Sequence, residues 1–156
     1  MNTRMMNLFV IACVASFAMI GCKGSGDTCC GTCGGGLAQP VTIGERVNGN
    51  SAALKTIGAL HIETKEQFEA LGDANIFPGD LNFDDIDLVI VALGEQPTGG
   101  YSVNIESIQL AGGELAVAGK ASSPGPDAVT TQALTYPYSA VVIPNTKADK
   151  VVPYID

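Results

Sequence analysis

The chain offers few groups that could do covalent or acid–base chemistry. His61 is the only histidine among 156 residues. A Ser/His/Asp triad would have to recruit it, and no Gly-x-Ser-x-Gly elbow exists to present the serine. There is no His-Glu-x-x-His zinc helix and no phosphate-cradling glycine loop after a strand. In Leu60-His61-Ile62 the imidazole alternates with two apolar residues. On a strand it would point away from them, so a surface histidine is expected. Asp80, Asp84, Asp85 and Asp87 lie close together, but their spacing is not that of an EF-hand loop; a solvated acidic loop is expected. Paired glycosidase carboxylates can be distant in sequence, and nothing here singles out such a pair. Cys30-Gly31-Thr32-Cys33 has redox or half-zinc spacing, yet neither a βα context nor a second ligand pair accompanies it. The expectation is a protein that is no enzyme, with no catalytic residues, no metal ligands and no cofactor.

The amino-terminal residues address the chain to a membrane. Arg4 gives a positive start, and Leu8 to Gly21 is an apolar run too short to span a bilayer comfortably. It ends in Ala18-Met19-Ile20-Gly21-Cys22. A small residue before a cysteine at that point resembles the lipobox of bacterial lipoproteins, although Met19 stands where leucine is usual. The resemblance implies cleavage before Cys22, a diacylglycerol on its sulfur and an acylated new amino terminus. Several acyl chains hold a protein firmly where one holds it marginally. Lys23 after the cysteine is permissive for outer-membrane export under the enterobacterial sorting rule. A lipid-anchored protein of the bacterial cell envelope, in the outer membrane and facing either the periplasm or the surface, is the expected location. The formal net charge is −8, which argues against nucleic acid or an anionic lipid surface as partner. Membrane contact is expected through the lipid anchor alone.

What remains as a candidate site is a shaped loop. In Gly94-Glu95-Gln96-Pro97-Thr98-Gly99-Gly100-Tyr101, Pro97 fixes its own φ and cannot donate to a strand ladder. Gly99 and Gly100 permit backbone angles closed to other residues. Beyond the turn, Tyr101, Val103 and Ile105 alternate with Ser102, Asn104 and Glu106, the period of a half-buried strand. Loops held between strands are where binding residues concentrate. Tyr136, Pro137 and Tyr138 could flank this loop, since aromatics beside a rigid proline make good contact surface. The candidate binding residues are Pro97, Thr98, Gly99, Gly100, Tyr101, Tyr136, Pro137 and Tyr138. A tight turn with Tyr101 in the core, and tyrosines packed on a sheet edge, are the structural alternatives.

The elements that would position this loop are mostly strands. Residues 1–21 are expected to form the signal, 22–40 the lipidated cysteine and a glycine-rich tether, and 41–156 one domain. About 115 residues suffice for a single core. Val41-Thr42-Ile43 suggests a short strand and Asn48-Gly49-Asn50 a turn. Leu54 to Glu63 suggests one strand or two, broken near Gly58. Thr64-Lys65-Glu66-Gln67 has the pattern of a capping box, followed by Phe68 and Leu71 at helical spacing and a stop at Gly72. Asn75 to Asp85 reads as loop. Ile86 to Leu93 is nearly continuous apolar sequence, the mark of a central strand. Gly112-Gly113 predicts a hairpin between the Tyr101 strand and Glu114 to Ala121. Ser122 to Asp127 reads as a long loop, Ser139 to Ile143 as a strand and Lys150 to Tyr154 as a last short one. The fold class is α+β: a mostly antiparallel sheet or small, partly open barrel with one packed helix.

The order Asn82-Phe83-Asp84, apolar strand, Pro97-Thr98-Gly99-Gly100-Tyr101, Ser123-Pro124-Gly125 and Thr135-Tyr136-Pro137-Tyr138 resembles the C-terminal domain family named after the protease complex subunit PrcB. The resemblance covers residues 55 to 156. It implies a small, non-catalytic, β-rich domain in secreted or lipid-anchored bacterial proteins, whose namesake is an accessory lipoprotein of a surface protease. A protein partner, an extracytoplasmic protease by that name, is therefore expected. Pro97-Thr98-Gly99-Gly100-Tyr101 is also similar, as loop chemistry only, to the Pro-Thr-Thr-Gly-Tyr-like loop of chagasin-type cysteine protease inhibitors; Gly99 replaces the second threonine. That likeness implies an alternative, direct protease inhibition through the loop.

Overall fold

The structure is a computed structural model and describes residues 37–156. The expected signal 1–21, Cys22 and the other cysteines lie outside the described residues. Part of the expected tether does not: Gln39–Val41 is already strand β1. Then follow β2 (Arg46–Asn50), β3 (Ile57–Ile62), helix α1 (Lys65–Ala70), a 3-10 turn (Ala74–Ile76), β4 (Ile86–Leu93), β5 (Ser102–Ala111), β6 (Glu114–Ser122), β7 (Pro137–Pro144) and β8 (Lys150–Ile155).

The strands form two four-stranded sheets, ordered β1-β5-β6-β8 and β2-β7-β4-β3. Every named pairing is antiparallel except β6 with β8. The sheets face one another. Val89, Val91, Val141 and Ile143 of one interlock with Val103, Ile105, Ile108, Leu115 and Val117 of the other. Of the two expected forms, a mostly antiparallel sheet or a small, partly open barrel, the structure has sheets, stacked as an open sandwich, and no barrel. The reason lies in β4 and β7, which carry apolar residues on both faces. Their other face, with Leu88, Ile90, Ala92, Tyr138 and Ala140, meets Leu54, Ile62, Ile76 and Phe77, and Phe68 and Leu71 pack against that cluster. A sheet that is the middle layer between two cores cannot also curl around a single interior.

Local chemistry explains the connections. Thr64 caps α1 by accepting from the Gln67 N–H, and the Gln67 side chain accepts from the Glu63 N–H at 2.8 Å. Gly112 and Gly113 both have positive φ, as a two-residue hairpin between right-twisted strands requires. A bulge shifts the β5 register between Ile105 and Ser107. It lets Ile105 and Ile108 both face the core despite their odd spacing. The Ile105 N–H donates to Ser139 Oγ, a fully buried hydroxyl from the opposite sheet, at 3.3 Å.

Three local expectations are corrected. Asn48-Gly49-Asn50 is not a turn but the end of β2. A Cβ on Gly49 would lie 2.9 Å from the Tyr138 hydroxyl, so the glycine makes room for a ring rather than a bend. Asn75 to Asp85 is not all loop: Ile76 and Phe77, at its start, are core residues. Asp73 pins that turn by accepting from the Asn75 N–H and from Ser51 Oγ. The Ser51 bond, with help from Asn75, holds the Asp73 carboxyl below its usual range. Finally, β3 starts at Ile57, and Leu54 lies buried ahead of it.

Candidate functional site

The candidate loop leaves the end of β4 and is laced to the segment before β7. The Gln96 N–H donates to Thr135 O at 2.8 Å, and the Thr135 N–H returns to Gln96 O at 3.0 Å. Thr135 Oγ1 donates to Thr98 O at 2.8 Å, and the Gly99 N–H donates to Thr131 O at 3.0 Å. On the other side Gln96 Nε2 donates to Leu93 O at 3.0 Å. Gly100 has φ of 88°, and a Cβ there would meet Pro124 Cβ at 3.1 Å. A Cβ on Gly99 would run into the Thr131 hydroxyl. The loop is thus a rigid ridge, and three stretches far apart in sequence (Pro97–Tyr101, Ser123–Gly125 and Thr135–Tyr138) meet around it.

The candidate residues divide by burial. Pro97 and Gly100 are exposed, and Thr98, Gly99, Tyr101 and Tyr136 are half-buried. The Thr98 hydroxyl turns back on Gly99 O at 3.2 Å. Tyr136 donates to Glu95 Oε2 at 2.9 Å, and that bond, with some desolvation, raises the Tyr136 pKa. Pro137 and Tyr138 are buried. Tyr138 is a core residue whose hydroxyl donates to Ile76 O at 2.9 Å; desolvation, then the Asp73 charge, raises its pKa. These two therefore support the ridge from beneath. Tyr101 reaches toward β2 instead of the core, and lines a shallow cleft of about 210 Å³ with Asn48, Asn50 and Pro137. Sequence reasoning missed two neighbours, Leu134 on the Thr131–Thr135 strap that holds the ridge and Val129 just before it. Val129 and Leu134 are among the most exposed large apolar side chains among the described residues, at 104% and 58%. Their signal was present as two apolar residues in a stretch otherwise poor in them.

Residues 88–144 match the family model described as PrcB C-terminal. The match runs from β4 to the end of β7, so the PrcB-type segment contains the ridge, the strap and the strands that carry them. Curated proteins and solved structures give no match to this chain.

A second cluster lies outside the PrcB-type segment's ridge, at the opposite end of β4. The expected surface histidine is corrected here: the His61 side chain is 9% exposed, and Nε2 lies 3.0 Å from Asp87 Oδ2. His61 does alternate with Leu60 and Ile62, but the face it takes is the one between the sheets, beside Ala59. Asp87 is corrected too, from a solvated acid to a fully buried one. Its Oδ2 also accepts from the Thr146 N–H at 2.7 Å and Thr146 Oγ1 at 3.1 Å. Asp80, Asp84 and Asp85 remain exposed in the preceding loop, where Asn82 Nδ2 donates to Asp85.

Proposed function

We propose that this chain is a lipid-anchored envelope module that binds a protein through the ridge and strap of its PrcB-type segment. The observation that carries the reading is the ridge itself. A loop locked by four hydrogen bonds to the Thr131–Thr135 strap holds Pro97 and Gly100 outward beside the exposed Val129 and Leu134. A prefixed surface loses little conformational entropy on binding, and exposed apolar side chains grouped around it are the usual signature of a contact patch. The partner class favoured by the family name is a protease complex. The lipidated Cys22 would confine the module to a membrane surface and raise its effective concentration for a neighbour there. The rigidity of the ridge also suits the alternative, inhibition of a protease by insertion of the Pro97–Tyr101 loop.

Site-specific photo-cross-linkers at Pro97, at Leu134 and at Gln109 on the far sheet test the proposal in cells. One and the same envelope protein captured at Pro97 and Leu134, and not at Gln109, supports it. Equal capture at all three, or at none, overturns it. A captured protease whose turnover is unchanged by the purified module favours an accessory role, and a slowed one favours inhibition. Cys22→Ser should abolish labelling by a fatty-acid probe; undiminished labelling refutes the anchor.

A further inference from the structure

We propose that His61, Glu63 and Asp87 form a site for a divalent transition cation of the zinc class, separate from the ridge. One nitrogen of His61 and one oxygen from each carboxylate lie within 4.8 Å of one another. His61 Nδ1 is 3.7 Å from Glu63 Oε1, and Nε2 is 3.0 Å from Asp87 Oδ2. One ion takes a single ring nitrogen, so only one of these two contacts belongs to the donor set as it stands; the third ligand, within 4.8 Å, must close to the ~3–4 Å that separates two donors on one zinc ion.

An independent observation is the state of Asp87. The Thr146 N–H and hydroxyl donate to its Oδ2, with His61 Nε2 3.0 Å away, while Oδ1 is buried with no hydrogen-bond partner among the described residues. A buried carboxylate oxygen left without a partner is costly, and such groups are ordinarily paired or bound to a metal. Nor does a lysine or arginine form an ion pair with Asp87 or Glu63 among the described residues; the ion pairs of the described lysines are Lys65–Glu69 and Lys150–Glu114. Two carboxylates and an imidazole with no lysine or arginine paired to them among the described residues make an N/O donor set of the kind a divalent transition cation accepts.

The chemistry selects the ion. Imidazole suits zinc and its neighbours, whereas calcium and magnesium favour an all-oxygen shell. Thr146 fixes the Asp87 carboxylate through two hydrogen bonds, the outer-shell support that ligating carboxylates usually have. Glu63 is 44% exposed, which supplies an entry path and leaves positions open to water. The ligands come from the end of β3 and the start of β4, so an ion there would staple those two strand ends, with Thr146 after β7 holding Asp87.

Because His61 is the only histidine, its ring resonances in the full chain report on this site alone. Zinc added in excess over the cysteine thiols should shift or broaden them, and magnesium at the same concentration should not. Glu63→Gln, at an exposed position that leaves the fold intact, should weaken the zinc response about tenfold or more. Ring signals unmoved by zinc, or a response unaltered by Glu63→Gln, overturn the proposal. Zinc captured by thiols alone would leave the ring signals unmoved and counts against it.

Discussion

Gly100 provides the sharpest test of why the ridge has its shape. A residue other than glycine pays ~1–2 kcal/mol in the left-handed region, and alanine recovers ~0.4–1 kcal/mol by stiffening the unfolded chain. At Gly112, where φ is 58° and a Cβ would meet nothing within 4 Å, that balance is the whole effect. Gly112→Ala should therefore cost ~0.5–1 kcal/mol. At Gly100 the same strain is joined by crowding, because the Cβ would sit 3.1 Å from Pro124 Cβ and 3.4 Å from Thr130 Cγ2. Carbon contacts are optimal at ~3.5–4.0 Å, and forcing a methyl into an occupied space costs ~1–3 kcal/mol. Pro124 belongs to a surface loop that can give way, so the low end applies, and Gly100→Ala should cost ~1 kcal/mol more than Gly112→Ala. Urea unfolding of the two variants measures this directly, provided the m-value is unchanged. Equal losses would refute the packing of the Ser123–Gly125 stretch over the loop. A null effect at both would refute the backbone argument as well.

Three further outcomes follow from hydrogen-bonded polar groups and one from the core. Ser139→Ala should cost ~1–3 kcal/mol, because it strips the acceptor from the buried Ile105 N–H at the bulge; a neutral result in denaturant would mean that N–H finds another partner. Tyr138→Phe should cost about 1–2 kcal/mol by orphaning Ile76 O, without weakening capture at the ridge, since Tyr138 is buried. Asp73 has a lowered folded pKa, so the stability it contributes is present above its unfolded pKa of about 3.9 and is lost as pH falls through the lower folded value. Asp73→Asn should flatten the stability profile in that acid window and leave a constant offset above it; an unchanged acid profile would refute the assignment. Ile90→Ala, at a fully buried central position, should cost about 2–5 kcal/mol, read from the melting temperature.

Much of the frame was legible because its signals are local. β4 runs from Ile86 to Leu93 as its continuous apolar stretch predicts, and the capping residues around Thr64 and the paired glycines at Gly112 act where their chemistry requires. The signals that misled are those whose meaning is set by a distant residue. Asn48-Gly49-Asn50 has turn composition, yet Gly49 is small because the Tyr138 ring, brought beside it by the β2–β7 pairing, occupies the space. Strict alternation along β5 would place Ile108 with Asn104 and Glu106, and only the bulge returns it to the core.

His61 is the most instructive of these cases, because alternation assigned its face correctly and its environment wrongly. On a strand buried on one side, pointing away from apolar neighbours means pointing at solvent. On β3 the face opposite Leu60 is the one turned to the other sheet, where Ala59 and Val89 pack, so it leads inward. A polar side chain there must find a partner or forfeit its hydration, and Asp87, alone among the clustered acids, stands on the adjacent strand at a depth where it can serve. Asp87 heads an otherwise apolar strand, and that position in the sequence already separated it from Asp80, Asp84 and Asp85. The composition of β4 therefore implied a two-sided sheet before any pairing was known. Followed through, it would have required each polar residue on β4 and its neighbours to be buried with a partner, which is how the His61–Asp87 pair and the Ser139 contact to the Ile105 N–H are found.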